Sequence, residues 1–103
     1  MTYDALCASI SELAEEAQAL LDALYLQTPE PESASVLAQA GLCDGARIVQ
    51  ELLKHREPGV AFEHVLYMVG EADLRLSRES RQRIGRVGRA LHLPESAYAT
   101  ACR

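Results

Sequence analysis

Leu6, Ile10, Leu13, Ala17, Leu20 and Leu24 recur at steps of four and three near the start of the chain. At about 100° per residue they share an arc of roughly 80° on a helix. Asp4, Glu12, Glu15, Glu16 and Asp22 fall on the opposite side. The spacing predicts an amphipathic helix from about Tyr3 to Leu26 with an acidic outer face. Thr2 is placed to cap it, and the two prolines of "TPEPE" at 28–32 end it. The apolar repeat is shorter than three heptads, which suits a bundle seam better than a coiled coil.

The rest of the chain is punctuated in the same helical way. "SASVLAQAG" at 33–41 reads as a short helix stopped by Gly41. A further helix is expected from Asp44, as N-cap, to His55. Leu42, Ala46, Val49 and Leu53 line its inner side, widened by Ile48 and Leu52. "REPG" breaks the chain at Pro58–Gly59, and a helix follows over Val60–Val69. Its apolar residues cover about 160°, the mark of a deeply buried helix. "ADLRLS" reads as an extended connector that pins Leu74 and Leu76. Ser77 then caps a helix over Arg78–Leu91 with Ile84, Val87 and Leu91 inward. Gly85 and Gly88 within it each cost up to about 1 kcal/mol against alanine, which a close approach by another helix would justify. A last turn or short helix starts near Pro94. The expected fold is all-α: one compact domain over 1–103, built from five or six helices.

With 103 residues and 49% apolar content, the chain can bury roughly 65% of its unfolded surface in one core. No apolar run reaches the ~18 residues of a membrane span. The first residues, "MTYDALCASIS", lack a basic signal-peptide region, so a cytoplasmic location is expected. Cys7, Cys43 and Cys102 are odd in number and far apart, and read as apolar fillers or free thiols. The histidines (His55, His64, His92) lack metal-site spacing, and no nucleophile motif or phosphate loop is present. Neither catalysis nor a metal or cofactor is expected.

Charge is segregated. Residues 1–46 carry eight acidic residues and no basic one, whereas residues 75–103 carry seven arginines and two glutamates. Within "GVAFEHVLYMVGEADLRLS", residues 59–77, Glu63, Tyr67 and Glu71 are spaced i, i+4, i+8. They form one outer ridge, flanked by His64 and extended by Asp73. A tyrosine ringed by carboxylates suits capture of a basic polypeptide. Glu12, Glu15 and Glu16 extend the same negative field and form a second candidate surface. A rival reading uses Arg78, Arg81, Arg83, Arg86 and Arg89. With "HLP" as the turn and Glu95–Arg103 as the second helix, they resemble a helix-turn-helix DNA-binding regulator. A third reading is a dimeric secretion or adaptor chaperone using the acidic helix.

"IVQELLKHREPGVAFEHVLYMVGEADLRLS" followed by "RIGRVGRALHL" resembles the small helical immunity proteins of bacterial contact-dependent growth-inhibition and Maf-type polymorphic toxin systems. Ala61 and Glu63 match that family's A-x-E, and Glu71 its later acid. Ser77 matches the cap, and Ile84, Gly88, Leu91 and Leu93 the following helix. The turn Glu57–Gly59 departs from the family's glycine-then-acid. The resemblance covers about half the chain, from Ala46 to Tyr98. It implies a non-enzymatic protein, monomeric or weakly dimeric, that neutralises a cognate toxin domain by stoichiometric binding. Many such toxins are nucleases, whose basic substrate-binding surfaces an acidic inhibitor would fit.

Overall fold

The computed structural model describes residues 1–27 and 42–103 and is all-helical there. Four α-helices run in order: α1 (Tyr3–Gln27), α2 (Gly45–Lys54), α3 (Pro58–Glu71) and α4 (Arg78–Ala90). Two single 3-10 turns, Glu95–Ala97 and Thr100–Cys102, complete them. The described residues thus hold four α-helices rather than five or six, and the helix expected over 33–41 lies outside them. The carboxy-terminal segment does not form an α-helix. His92 turns left-handed at φ 58°, Pro94 is extended, and the chain then folds tightly enough to bring Tyr98 into the core.

α1 is the spine: α2, α3 and α4 all pack against it, while α2 and α3 pair as a hairpin. The second 3-10 turn bridges α4 and α3. Leu6, Ile10, Leu13, Ala14, Ala17 and Leu21 form the buried stripe of α1, whereas Leu20 and Leu24 pack only at its edge. A straight helix advances 3.6 residues per turn. The inward direction from Ile10 therefore returns between Leu13 and Ala14, then at Ala17 and Leu21, and drifts off the 3.5-residue repeat. Phe62, Val65 and Met68 of α3, Val49 of α2, and Ile84 and Val87 of α4 close the core with no exposed surface. Leu76 of the connector is also buried, as its alternation with Leu74 predicts.

The helix ends follow local rules. Thr2 accepts the Ala5 N–H at 3.1 Å and caps α1. α2, α3 and α4 all close with paired backbone bonds of one kind. Glu57 N–H reaches the Leu52 carbonyl, Leu74 N–H the Val69 carbonyl, and Leu93 N–H the Gly88 carbonyl. Each closure needs a left-handed residue just past the helix, and here these are Arg56, Asp73 and His92 rather than glycine. The break in "REPG" consequently falls at Arg56–Glu57. Pro58 opens α3, because a proline at the first helical position sacrifices no hydrogen bond. Arg56 also stands over the Tyr3 ring, 5.8 Å from its centroid, tying the α2–α3 turn to the start of α1.

Gly88 meets its close neighbour, though not another α-helix. A Cβ there would overlap the ring of the buried Tyr98. Gly70, by contrast, has no atom within 4 Å of where its Cβ would stand. Two stability measurements test this packing. Phe62→Ala should cost about 3–5 kcal/mol in denaturant unfolding, and the half-buried Leu66→Ala about 2 kcal/mol or less. Gly88→Ala should destabilise by about 1–3 kcal/mol despite its better helix propensity, while Gly70→Ala should stabilise by about 0.5–1 kcal/mol.

Candidate functional site

The eight candidate residues separate into committed and uncommitted groups. Glu16 is committed. α4 begins at Ser77, whose hydroxyl accepts the Ser80 N–H at 3.2 Å as an N-cap. In a capping box, a glutamate at the third helical position reaches back to the N-cap N–H. The residue at that position here is Ser80, and α1 supplies the missing carboxylate. Ser77 N–H donates to Glu16 Oε2 at 2.6 Å, and the Ser77 and Ser80 hydroxyls donate to Oε1 at 3.0 and 2.7 Å. Glu16 is thus the cap partner of a helix more than 60 residues away.

Glu12 sits one turn earlier and pairs with Arg83 Nη2 at 3.1 Å. The same nitrogen meets Glu79 Oε1 at 3.4 Å. Glu12 remains largely exposed, so the pair contributes modestly. Together Glu12 and Glu16 tie α1 to α4. Glu15 points to solvent and has no ion pair among the described residues.

Gln18 does for α2 what Glu16 does for α4. Asp44 occupies the expected N-cap position but makes no side-chain cap bond. Its carboxylate turns to Arg47 at 2.7 Å. The Ala46 N–H instead donates to Gln18 Oε1 at 2.9 Å, and Gln18 Nε2 donates to the Cys43 carbonyl at 3.2 Å.

The α3 ridge is different. Glu63 and Glu71 are exposed and take part in no ion pair or side-chain hydrogen bond among the described residues. Between them Tyr67 is half-buried against the core, with the His64 ring tilted 38° beside it at 5.5 Å between centroids. Asp73 is exposed at the left-handed position that ends α3, at φ 49°. The structure therefore brings Glu63, Tyr67 and Glu71 onto one helix with His64, and Asp73 follows at its end.

The arginines of α4 do not form one basic side. Arg83 turns to Glu12 and Glu79. Arg81, Arg86 and Arg89 instead border a groove against the 3-10 turns, which Arg103 completes. Sequence reasoning named the α4 arginines but missed this division, since only the folded return of residues 95–103 creates the groove. The candidate recognition helix Glu95–Arg103 takes the form of two 3-10 turns, too short to fill a major groove.

Among the described residues no cluster of three histidine, cysteine or acidic side chains could hold a metal. No helix among them is long and apolar enough to cross a membrane. The three cysteines are free, and burial pushes the Cys102 thiol upward, with Arg89 partly opposing it. Comparisons with protein-family models, curated proteins and solved structures find no match.

The Glu16 clamp has a signed pH dependence. Burial alone would raise its carboxyl, but the Ser77 N–H, the Ser80 and Ser77 hydroxyls and the Arg83 charge outweigh burial and hold it below its ordinary 4.5. Ionised Glu16 therefore stabilises the fold fully above that ordinary value, and the contribution is lost as pH falls through the lower folded value. Glu16→Gln should cost about 1–2 kcal/mol at pH 7. The gap between variant and wild-type thermal midpoints should narrow below about pH 4.5. A gap that persists unchanged at pH 2–3 would assign the loss to packing rather than to charge.

Proposed function

We propose that this protein is a non-enzymatic, cytoplasmic immunity protein that binds and neutralises a cognate toxin domain, with the α3 ridge as its contact surface. One observation carries the choice of surface. Glu12 and Glu16 are engaged with α4, whereas Glu63 and Glu71 bracket Tyr67 without any ion pair among the described residues. Carboxylates without internal partners are available to the lysines and arginines of another chain. They act at long range as well, since a negative field steers a basic partner into encounter.

Tyr67 supplies what the carboxylates lack. Its packing against the core holds the ring in place, so a partner can cover it at small entropic cost. Asp73 gives a fixed charge at the end of the ridge, on a backbone closed by the hydrogen bonds that end α3. Glu15 adds to the field from α1. The resemblance of residues 46–98 to toxin-immunity proteins supplies the kind of partner: a toxin domain encoded beside this chain, basic where it holds phosphates if it is a nuclease.

The test starts from the neighbouring reading frame. Its carboxy-terminal domain should arrest growth when expressed alone and be neutralised by this chain at one-to-one stoichiometry. Glu63→Lys combined with Glu71→Lys should weaken that complex by about 2–5 kcal/mol in calorimetric titration. The thermal midpoint of the free variant should stay within about 2 °C of wild type. A variant that loses stability and binding in parallel would make the ridge structural, and a neighbour without toxicity would remove the role.

A further inference from the structure

Four arginines share one groove with a single glutamate. Arg81, Arg86 and Arg89 of α4 and Arg103 beyond the last 3-10 turn border a hollow of about 780 Å3. That volume lies within the roughly 300–1,000 Å3 of small-molecule sites. Glu95 is the single carboxylate side chain on the groove. None of the four arginines makes an ion pair among the described residues, where the ion pairs belong to Arg47, Lys54, His55 and Arg83. In a chain of net charge −5, guanidiniums that outnumber the carboxylates around them repel one another with little to offset it.

Arg81 adds a second, independent observation. Its Nε is buried and has no hydrogen-bond partner among the described residues. Buried donors are almost always satisfied, and a charged one left unpaired is costly. Arg81 and Arg103 also border a smaller hollow of about 270 Å3 beside the connector, together with Arg75. Arg81 therefore borders both cationic hollows.

The floor of the groove fixes its shape. Arg81, Gly85 and Arg89 fall on one ridge of α4 at steps of four. Gly85 leaves the middle of that ridge bare, and Arg89 folds over the gap: a Cβ at Gly85 would come within 3.3 Å of its Nη1. Along the axis Arg81 and Arg89 start about 12 Å apart at 1.5 Å per residue. With Arg89 folded back toward Gly85, the two guanidiniums border the same stretch of the groove. Arginine favours planar, two-point contacts with phosphate oxygens, and successive phosphates in a chain present such oxygens at each step.

From these features we infer that the groove between α4 and the carboxy-terminal 3-10 turns binds a small oligophosphate, either an inorganic phosphate chain or the polyphosphate tail of a nucleotide. The site is separate from the α3 ridge and does not depend on the toxin-binding reading. Arg86 and Arg89 clamp the chain from the open side, Arg103 closes one wall, and Arg81 adds its charge to the lining.

Calorimetric titration of the full chain tests this with inorganic triphosphate as probe. Saturable one-to-one binding is expected, with a dissociation constant near about 100 μM or tighter. Arg86→Gln combined with Arg89→Gln should weaken it at least about tenfold, with the circular dichroism spectrum and thermal midpoint unchanged because both side chains are exposed. Arg47→Gln on α2 should leave binding intact. ATP that binds more tightly than triphosphate assigns the site to nucleotides, and equal binding assigns it to the phosphate chain alone; either supports the inference. It is overturned by the absence of saturable binding, by equal loss in Arg47→Gln, or by citrate binding as well as triphosphate. Single-stranded RNA bound through the same arginines while triphosphate fails would also overturn it.

Discussion

The carboxylate of Glu16 at the start of α4 is the contact on which the arrangement of this small bundle depends. Every α-helix begins with backbone N–H groups that have no intrahelical partner. α4 has a serine cap but lacks the glutamate that would complete it from within. By taking the Ser77 N–H and both serine hydroxyls, Glu16 satisfies those donors and places a negative charge at the positive end of the helix dipole. It also sets the rotation of α4 on α1, since only one face of α1 carries Glu16 beside the buried Leu13 and Ala17. Gln18, half a turn on, fastens the start of α2. One helix thus supplies polar closure to two others, which explains why polar residues border its buried stripe at Glu16 and Gln18.

This arrangement also explains which parts of the fold can be read in the sequence. Helix spans follow from apolar periodicity and from residues such as Thr2, Pro58 and Ser77, whose effects reach only three or four positions. The spans of α1 and α4 accordingly come out within a residue of expectation. The start of α3 shifts because Pro58 is compatible with both a break and a first turn, and the left-handed Arg56 decides between them. The role of Glu16 depends on partners 61 and 64 positions away. Glu15 and Glu16 are chemically alike neighbours, so no local pattern tells the solvated one from the clamp. The same holds for the arginines of α4: Arg83 and Arg86 differ in function by which way the helix faces, which α1 determines.

Charge segregation along the chain has a structural consequence that the totals hide. The acidic first helix and the basic last helix meet, but among the described residues their charges pair only at Arg83, with Glu12 and the nearby Glu16. Most of the remaining charge stays apart, with Glu63, Glu71 and Asp73 on or just beyond α3, and Arg81, Arg86, Arg89 and Arg103 around the groove. Neutralising these sets against one another would have needed α3 and α4 side by side. Instead α1 and the second 3-10 turn stand between them, and Tyr98 rather than α3 fills the close approach over Gly88. The fold keeps two opposite charge densities on one small domain.

That separation bears on how each surface would act. Ion pairs within the protein would be satisfied before any partner arrived, and breaking them would subtract from the affinity gained. Carboxylates unpaired among the described residues, beside a fixed tyrosine, carry no such cost, and neither do guanidiniums that make no ion pair there. The two surfaces share no residue, so occupation of one leaves the contacts of the other intact. They remain linked mechanically through the second 3-10 turn, which packs on both α3 and α4, and through the hollow where Asp73 and Arg81 stand on the same rim. An anion held by Arg81 would lie near the carboxylate that ends the α3 ridge. Its charge would add to the negative potential that this end of the ridge presents to a basic partner.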